Sequence, residues 1–241
     1  MQNNLEKEPP MAVLLNVCHM KLESDGILID LRPLNERDSL AHIFTRDYGV
    51  VVGMMRGGVV ARKNKPMVGQ VGSMVWNCRV DTQLGVFHWD ATRNLVAPLM
   101  ARRAPLSMMN AALGLVRGLL PERESYPTLY DETLTLLSAL PAMSDSDAVT
   151  KYMGWEVCLL RDLGYALDLH SCAGCGRTDD LHYLSPRTCR AVCASCGAPY
   201  ASRLYRLPLE CGVLRQLLEH VCAAQGTSLP IARAMLSDKI A

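Results

Sequence analysis

The hydrophobic pattern between Asp25 and about Pro98 is typical of β-strands. Short runs of β-branched, aromatic and other apolar residues recur there, bounded by turn residues such as Gly49, the Gly57-Gly58 pair and Gly85. The predicted strands are 26–32, 39–45, 49–56, 72–79 and 85–91. Because these strands follow one another with almost no intervening helix, the pattern predicts a five-stranded barrel of the OB-fold type, an architecture that commonly binds oligonucleotides.

From Arg102 onward the spacing of apolar residues changes to that of α-helices. Leu106, Met109 and Leu113 lie on one helical face. Prolines and cap residues then indicate where the later helices begin and end. The predicted helices are about 102–120, 127–140, 144–164, 208–221 and 230–240. Strands followed by helices predict an α+β fold.

The length of the chain indicates how these elements are divided. A chain of 241 residues is at or beyond what one hydrophobic core comfortably fills, so we expect two domains and a small module. We expect a poorly structured extension over 1–22, an OB-fold DNA-binding domain over 23–100 and a helical domain over 101–241. A metal-binding module would occupy 172–197 within the helical domain.

Two CxxC pairs carry the most specific chemical pattern. Cys172 and Cys175 form the first pair, and Cys193 and Cys196 form the second after seventeen intervening residues, with a glycine directly after each pair. Two such pairs can hold one Zn²⁺ with sulfurs at about 2.3 Å. Because four protein ligands leave no open position for a substrate, the predicted zinc is structural. An empty site and a pair of disulfides are the alternatives.

The other cysteines have no paired spacing, and most lie in apolar surroundings typical of small buried residues. Cys189, His170 and His182 are close enough in sequence to replace a ligand, but the CxxC pairs already fill the coordination sphere. Closed four-cysteine patterns are typical of reducing compartments. We therefore expect a cytoplasmic protein.

Charge and hydropathy restrict the partners. The net charge is +1, so any affinity for a polyanion must come from a local patch. No stretch approaches the ~20 apolar residues of a membrane span. The apolar run 11–18 follows two glutamates and one lysine, which is the wrong composition for a secretory leader. We expect no membrane partner.

Motifs for catalysis are absent from the sequence. The chain lacks the His-x-Glu of zinc deaminases, the Walker A motif and the GxSxG elbow. The first CxxC pair also follows a predicted helix rather than a strand, unlike the redox pair of thioredoxin-like proteins. We therefore expect a protein that is not an enzyme.

A local cationic patch does occur in the predicted barrel. No acidic residue lies between Tyr48 and Val80, whereas five cations do: Arg56, Arg62, Lys63, Lys65 and Arg79. A flexible cationic loop beside a barrel suits contacts with a phosphate backbone, which need charge and reach. Ordinary solvated surface charge is the alternative. A second rank of cations is interspersed with acidic residues: Arg32, Arg37, Arg46, Arg93, Arg102 and Arg103.

Distinctive segments surround the cysteine pairs. They are Tyr152-Met-Gly-Trp-Glu156, Leu163-Gly-Tyr-Ala-Leu-Asp-Leu169 and Leu184-Ser-Pro-Arg-Thr-Cys-Arg-Ala-Val192. Together with 49–64, they resemble the bacterial recombination mediator family RecO over nearly the whole chain from Asp25. The first 22 residues depart from the family pattern, and so does Cys189, which stands where relatives usually carry glycine.

The resemblance implies a function in DNA repair and homologous recombination. It implies a DNA-binding protein of the cytoplasm and nucleoid that binds single- and double-stranded DNA and anneals complementary strands. It also implies that the protein engages the C-terminal tail of the single-strand-binding protein SSB and, with RecR, helps to load RecA. The SSB tail is acidic with an apolar end, so a groove that mixes cations with apolar residues would receive it.

Annealing requires cations that screen two backbones at once. Arg187 and Arg190, between the CxxC pairs, are the candidates for this second surface, followed by Arg203 and Arg206. Two other hypotheses fit the cysteine pattern. One is a redox-controlled switch that loses zinc when its thiolates are oxidised, and the other is a zinc-ribbon protein of transcription or translation.

Overall fold

The computed structural model describes residues 20–59, 65–79 and 84–236. The first five strands are β1 (Met20–Pro33), β2 (Ser39–Thr45), β3 (Gly49–Met55), β4 (Gln70–Cys78) and β5 (Gly85–Asn94). They form a closed barrel in the order β1-β2-β3-β5-β4. The predicted five-stranded barrel is confirmed. β1 starts at Met20, slightly before the expected domain boundary, and 1–19 lie outside the described residues.

Closure of the barrel depends on two glycines and one tryptophan. β1 is long enough to pair with β4 through its first half and with β2 through its second half. β3 and β5 close the ring through a short parallel contact that begins at Gly53 and Gly85. A Cβ atom on Gly85 would lie 2.1 Å from the Trp76 ring, so only glycine lets the strand pass the indole. Trp76 is buried and donates its Nε1–H to the Val52 carbonyl at 2.9 Å.

Six α-helices follow the barrel in the described chain. They are α1 (Arg103–Leu119), α2 (Pro127–Ala139), α3 (Asp145–Asp162), α4 (Ala194–Gly197), α5 (Cys211–Ala224) and α6 (Ile231–Ala234). As the cap residues predicted, Ser144 begins α3 by accepting a hydrogen bond from the Asp147 N–H at 3.2 Å. The observed α+β architecture agrees with the prediction. None of the described helices is both long and apolar enough to cross a lipid bilayer.

One apolar core joins the helices to the barrel. Residues of β1 alternate between two environments, because successive strand side chains point to opposite faces. Leu28 belongs to the barrel interior with Trp76, whereas Ile27 points outward and packs with α1 and the other helices. Phe44 of β2 joins the same outer cluster, with its ring edge against Tyr130 of α2 at a centroid distance of 5.5 Å. The barrel is therefore seated on the helical domain.

The loop between α1 and α2 strengthens this seat. The Arg123 N–H donates to the Val50 carbonyl of β3 at 2.9 Å. Gly49 has a φ of +62°, and a Cβ atom there would lie 1.7 Å from the carbonyl oxygen of Glu124. The loop therefore runs along the edge of β3. Its backbone comes so close to residue 49 that only glycine fits at that position.

The polar part of the seat is a set of ion pairs. Arg46 pairs with Asp131 of α2 at 3.1 Å. On the other side, Asp30 of β1 contacts Arg117 of α1 at 2.9 Å and His42 of β2 at 3.6 Å. These contacts fix the barrel relative to α1 and α2.

Three short strands around the second cysteine pair are absent from the prediction. They are β6 (Leu181–Leu184), β7 (Ala191–Cys193) and β8 (Tyr205–Arg206), in the sheet order β7-β6-β8. Leu207 continues the pairing by donating its N–H to the His182 carbonyl at 2.9 Å. The chain is thus extended up to this point, which is why α5 starts at Cys211 rather than at Pro208 as predicted. The predicted end of the last helix, 237–240, lies outside the described residues.

Candidate metal centre and nucleic-acid surface

The four cysteines of the CxxC pairs converge in one cluster. Cys172 lies in the loop after α3, Cys175 in the turn that follows, Cys193 at the end of β7 and Cys196 in α4. Their Sγ atoms all lie within 4.8 Å of one another. The Cys175 and Cys193 sulfurs are 3.7 Å apart. Tetrahedral thiolates at the zinc distance are about 3.8 Å apart, whereas a disulfide bond is only about 2.05 Å long. The geometry therefore fits a metal ion and not disulfides.

Backbone donors favour the thiolate form of the cluster. The N–H groups of Cys193 and Gly174 each lie 3.3 Å from the Cys172 sulfur. Hydrogen bonding from the backbone, chiefly from Cys193, lowers the pKa of Cys172 to about 6. Cys193 contacts the Ser195 hydroxyl at 3.2 Å, which lowers its pKa as well. The neighbouring sulfurs, Cys193 foremost, raise the pKa of Cys196 to about 12, because the protonated thiol is hydrogen-bonded to them and a further negative charge among them is penalised. A cation at the centre would remove that penalty.

The segment that follows α3 holds the cysteine module together through Asp168. Asp168 donates its backbone N–H to the Cys189 carbonyl at 2.9 Å and accepts from the Ala191 N–H at 2.8 Å. Its carboxylate also binds the Arg190 guanidinium at 3.2 Å. On the opposite side, Gly197 lies so close to the Tyr183 ring that a Cβ atom would be 2.3 Å from it. These contacts hold the backbone around the four cysteines in place.

The alternative ligands take no part in the cluster formed by the described residues. The group that can share an ion consists of the four CxxC cysteines. His182 pairs instead with Asp180 at 3.0 Å. Cys189 is buried in the apolar core with a φ of +53°. That left-handed conformation is one that glycine adopts without strain.

Two of the predicted DNA contacts flank the start of β5. Arg56 follows β3, Arg79 follows β4, and both are exposed. Val86 of β5 pairs with Met54 of the parallel strand β3 on one side and with Asn77 of the antiparallel strand β4 on the other. Arg56 and Arg79 therefore lie on either side of the first residues of β5, a region that we call the barrel rim. Lys65 is also exposed. The other two predicted contacts, Arg62 and Lys63, lie outside the described residues.

A groove of about 720 Å³ lies beside this rim. Arg56, His88 and Arg93 contribute its cationic or polar lining, and Asp90 adds one carboxylate. Trp89 is half-buried along the groove. This groove was not predicted from the sequence, although Phe87 and His88 are neighbours on β5 and therefore point to opposite faces of the strand.

Several of the other arginines are committed to contacts within the protein. Arg32 pairs with Asp30 at 2.9 Å, and Arg102 pairs with Asp145 at 2.5 Å. Arg46 is held by Asp131, as described above. In the predicted second surface, all four arginines are exposed; Arg190 is paired with Asp168, whereas Arg187, Arg203 and Arg206 have no ion partner among the described residues. The structure thus separates arginines with an ion partner from those without one, which sequence position does not.

A closed five-stranded barrel packed against α-helices, together with a four-cysteine cluster, defines an α+β protein with a candidate structural metal centre. Two family models match this chain. The model for Recombination protein O C terminal matches residues 103–226, and the model for Recombination protein O N terminal matches residues 20–89. The two matches cover most of the barrel and the helical part as far as residue 226.

Curated relatives agree with the family models. The chain is 37% identical to the DNA repair protein RecO of Ruegeria sp. over 193 residues, covering 78% of each protein. It is 37% identical to that of Dinoroseobacter shibae over 76% of each. It is 34% identical to that of Rhizobium rhizogenes over 88% of this chain and 80% of the relative. The chain belongs to the RecO family of DNA repair proteins, and the predicted resemblance is confirmed.

Proposed function

We propose that the protein is a recombination mediator without enzymatic activity, which binds single- and double-stranded DNA and anneals complementary strands. Membership of a DNA repair family supports this proposal. The observation that carries it is the pair of exposed arginines, Arg56 and Arg79, on the rim next to a groove. Arg62, Lys63 and Lys65, which lie between these two arginines in the sequence, are further proposed DNA contacts.

Contacts of this kind make DNA binding dependent on salt and independent of sequence. Arginine and lysine bind phosphates, and each contact releases condensed counterions. Both Trp76 and Trp89 are at least half-buried and offer little ring surface for stacking on bases. The barrel would therefore bind DNA mainly through the phosphate backbone of the DNA. Annealing then needs a second cationic surface. Arg187 and Arg190 remain the proposed residues, with Arg187 the more available because Arg190 is paired with Asp168.

The proposed metal is Zn²⁺, held by Cys172, Cys175, Cys193 and Cys196. When bound, it would supply structural cross-linking, because four cysteine ligands leave no position for a substrate. The cysteines join the loop after α3 to β7 and α4. They would thereby hold the 172–197 module, with its arginines, in a fixed relation to the barrel.

We propose SSB and RecR as protein partners in the loading of RecA. For the acidic, apolar-ended SSB tail, a cavity of about 530 Å³ beside α3 offers matching chemistry. Lys151 and Arg161 supply positive charge there, with Lys151 3.8 Å from Glu132 of the same lining and Arg161 paired with Asp162 at 3.0 Å. Val157 and Leu167 supply apolar surface. A peptide of the tail sequence should bind wild-type protein, and Lys151→Glu should weaken it without changing DNA affinity. Equal peptide affinity in that variant would exclude this cavity.

The DNA-binding rim can be tested by fluorescence anisotropy with labelled single-stranded DNA at several salt concentrations. Arg56→Ala and Arg79→Ala should each lower the slope of log affinity against log salt by about 0.7 to 0.9 per lost phosphate contact. Arg215→Ala is the matched control, because it removes one positive charge from the exposed Arg215–Glu219 pair on α5. A wild-type affinity that does not respond to salt would contradict the proposal.

Annealing is tested with two complementary oligonucleotides, one labelled with a donor dye and the other with an acceptor dye. The wild-type protein should accelerate pairing without ATP. Arg187→Ala with Arg190→Ala should slow pairing while leaving single-strand affinity nearly intact. Wild-type annealing by the double variant would exclude these two arginines, and a requirement for ATP would exclude the non-enzymatic mechanism.

A further inference from the structure

An exposed aromatic side chain lies directly after the second cysteine pair. Tyr200 is 58% exposed, and it is the single aromatic residue among the large hydrophobic side chains exposed in the described part of the chain. It lies on the 3-10 helix Ala198–Arg203. Side chains three residues apart in such a helix lie one above the other. Arg203 is therefore on the same side of the helix as Tyr200, and it is exposed too.

The segment around Tyr200 is strongly biased in charge. Between Leu181 and Leu209 there are four arginines and no acidic residue: Arg187, Arg190, Arg203 and Arg206. Of these, Arg190 is paired with Asp168, whereas the described residues provide no ion pair for Arg203 or Arg206. An exposed ring can stack on a flat aromatic group, and a guanidinium without a carboxylate partner can bind a negatively charged group. The two side chains together therefore suit a polyanion that also carries flat aromatic groups. Single-stranded DNA has both properties.

The Tyr200 platform is exposed but anchored at both ends. Before it, the backbone of Gly197 packs against the Tyr183 ring. After it, the Leu204 N–H donates to the Ala201 carbonyl at 3.4 Å, and the Tyr205 hydroxyl donates to the Gln216 carbonyl of α5 at 3.2 Å. Little of the backbone would need to become ordered when a base stacks on the ring, so less affinity would be lost to that ordering.

We propose that Tyr200 and Arg203 form a base-stacking contact for single-stranded DNA on the cysteine module, separate from the barrel rim. This inference rests on the proposed function. Tyr200 stacks on an unpaired base, while Arg203 contacts the phosphate next to it. Because bases in a duplex are already stacked and cover one another's faces, the contact distinguishes single strands from duplexes, which phosphate contacts alone do not.

The experiment compares three labelled probes of equal length in anisotropy titrations: oligo-dT, an abasic oligonucleotide and a duplex. Tyr200→Ala should weaken oligo-dT binding by about 5- to 150-fold, the range measured when single stacking aromatics are removed. It should leave the abasic and duplex probes unchanged. Tyr200→Phe, the matched control, keeps the ring and should bind all three probes like wild type. Arg203→Ala should weaken binding to oligo-dT and to the abasic probe alike.

A second measurement does not depend on affinity. Oligo-dT carrying 5-iododeoxyuridine should photocrosslink to the peptide that contains Tyr200, and Tyr200→Ala should abolish that adduct. Wild-type oligo-dT affinity in Tyr200→Ala would overturn the stacking contact, and so would an equal loss on all three probes. Failure of wild-type protein to bind oligo-dT at all would instead refute the proposed function.

Discussion

The buried ion pair between Glu156 and Arg233 provides the strongest test of how the C-terminal segment is held. Both side chains are 0% exposed. The Arg233 Nη2 atom donates to Glu156 Oε2 at 3.0 Å and to the Cys211 carbonyl at 3.1 Å, and its Nε atom also contacts the carboxylate. Burial raises the pKa of Glu156, and Arg233 opposes that rise. The pair thus links α3, α5 and α6.

Removing one partner should cost far more than removing both. Arg233→Met leaves a carboxylate without its cation, and Glu156→Leu leaves a buried guanidinium. Each should lower the free energy of unfolding by about 3–5 kcal/mol, whereas joint replacement by apolar residues is often neutral or stabilising. For a chain of this size, each single change should lower the melting temperature by about 6–20 °C.

The assay is urea unfolding at pH 7.5, followed by circular dichroism and by tryptophan fluorescence, for wild type, the two single variants and the double variant. The double variant should be closer in stability to wild type than either single variant is. Additive losses, within about 0.5 kcal/mol, would mean that the two side chains do not interact and would refute the reasoning.

Three further predictions concern the metal, one glycine and one histidine. Cys193→Ser should lose bound zinc, measured by metal analysis, together with thermal stability, because binding of a structural metal is coupled to folding; a metal-free wild type that is equally stable in chelator would contradict this. Gly49→Ala should lower stability by at least about 1–3 kcal/mol because of its positive φ and the close Glu124 carbonyl, whereas the control Gly154→Ala, with open space around it on α3, should raise stability by about 1 kcal/mol. Burial lowers the pKa of His42, so the unfolded chain binds more protons than the folded chain as the pH falls below the ordinary value of 6.5. The free energy of unfolding should therefore decrease as the pH falls from about 7 to 5. His42→Gln should reduce that loss in urea titrations. An unchanged pH dependence in that variant would assign the effect elsewhere, for example to the charged neighbours of His42, which are Asp30, Arg117, Glu122 and Arg32.

Local signals in the sequence determined the elements of this protein. Alternating apolar residues and glycine turns located all five barrel strands, because the period of two is a property of each strand alone. Helical spacing and caps located α1, α2 and α3 for the same reason. The spacing of the two CxxC pairs predicted the four-cysteine cluster. Each pair forms a local turn, and tetrahedral coordination of one metal ion requires the two turns to meet. The family resemblance rested on segments around these pairs.

Only the tertiary structure decided which exposed groups are free. Arg190 and Arg187 are equivalent in the sequence, but only Arg190 meets Asp168, which lies 22 residues away in the chain. The start of α5 depended on strand pairing between 205–207 and β6, which overrode the proline signal at Pro208. Gly49 and Gly85 are required by contacts with Glu124 and Trp76, respectively. Such long-range contacts leave no local pattern, because they depend on how separate segments pack against each other.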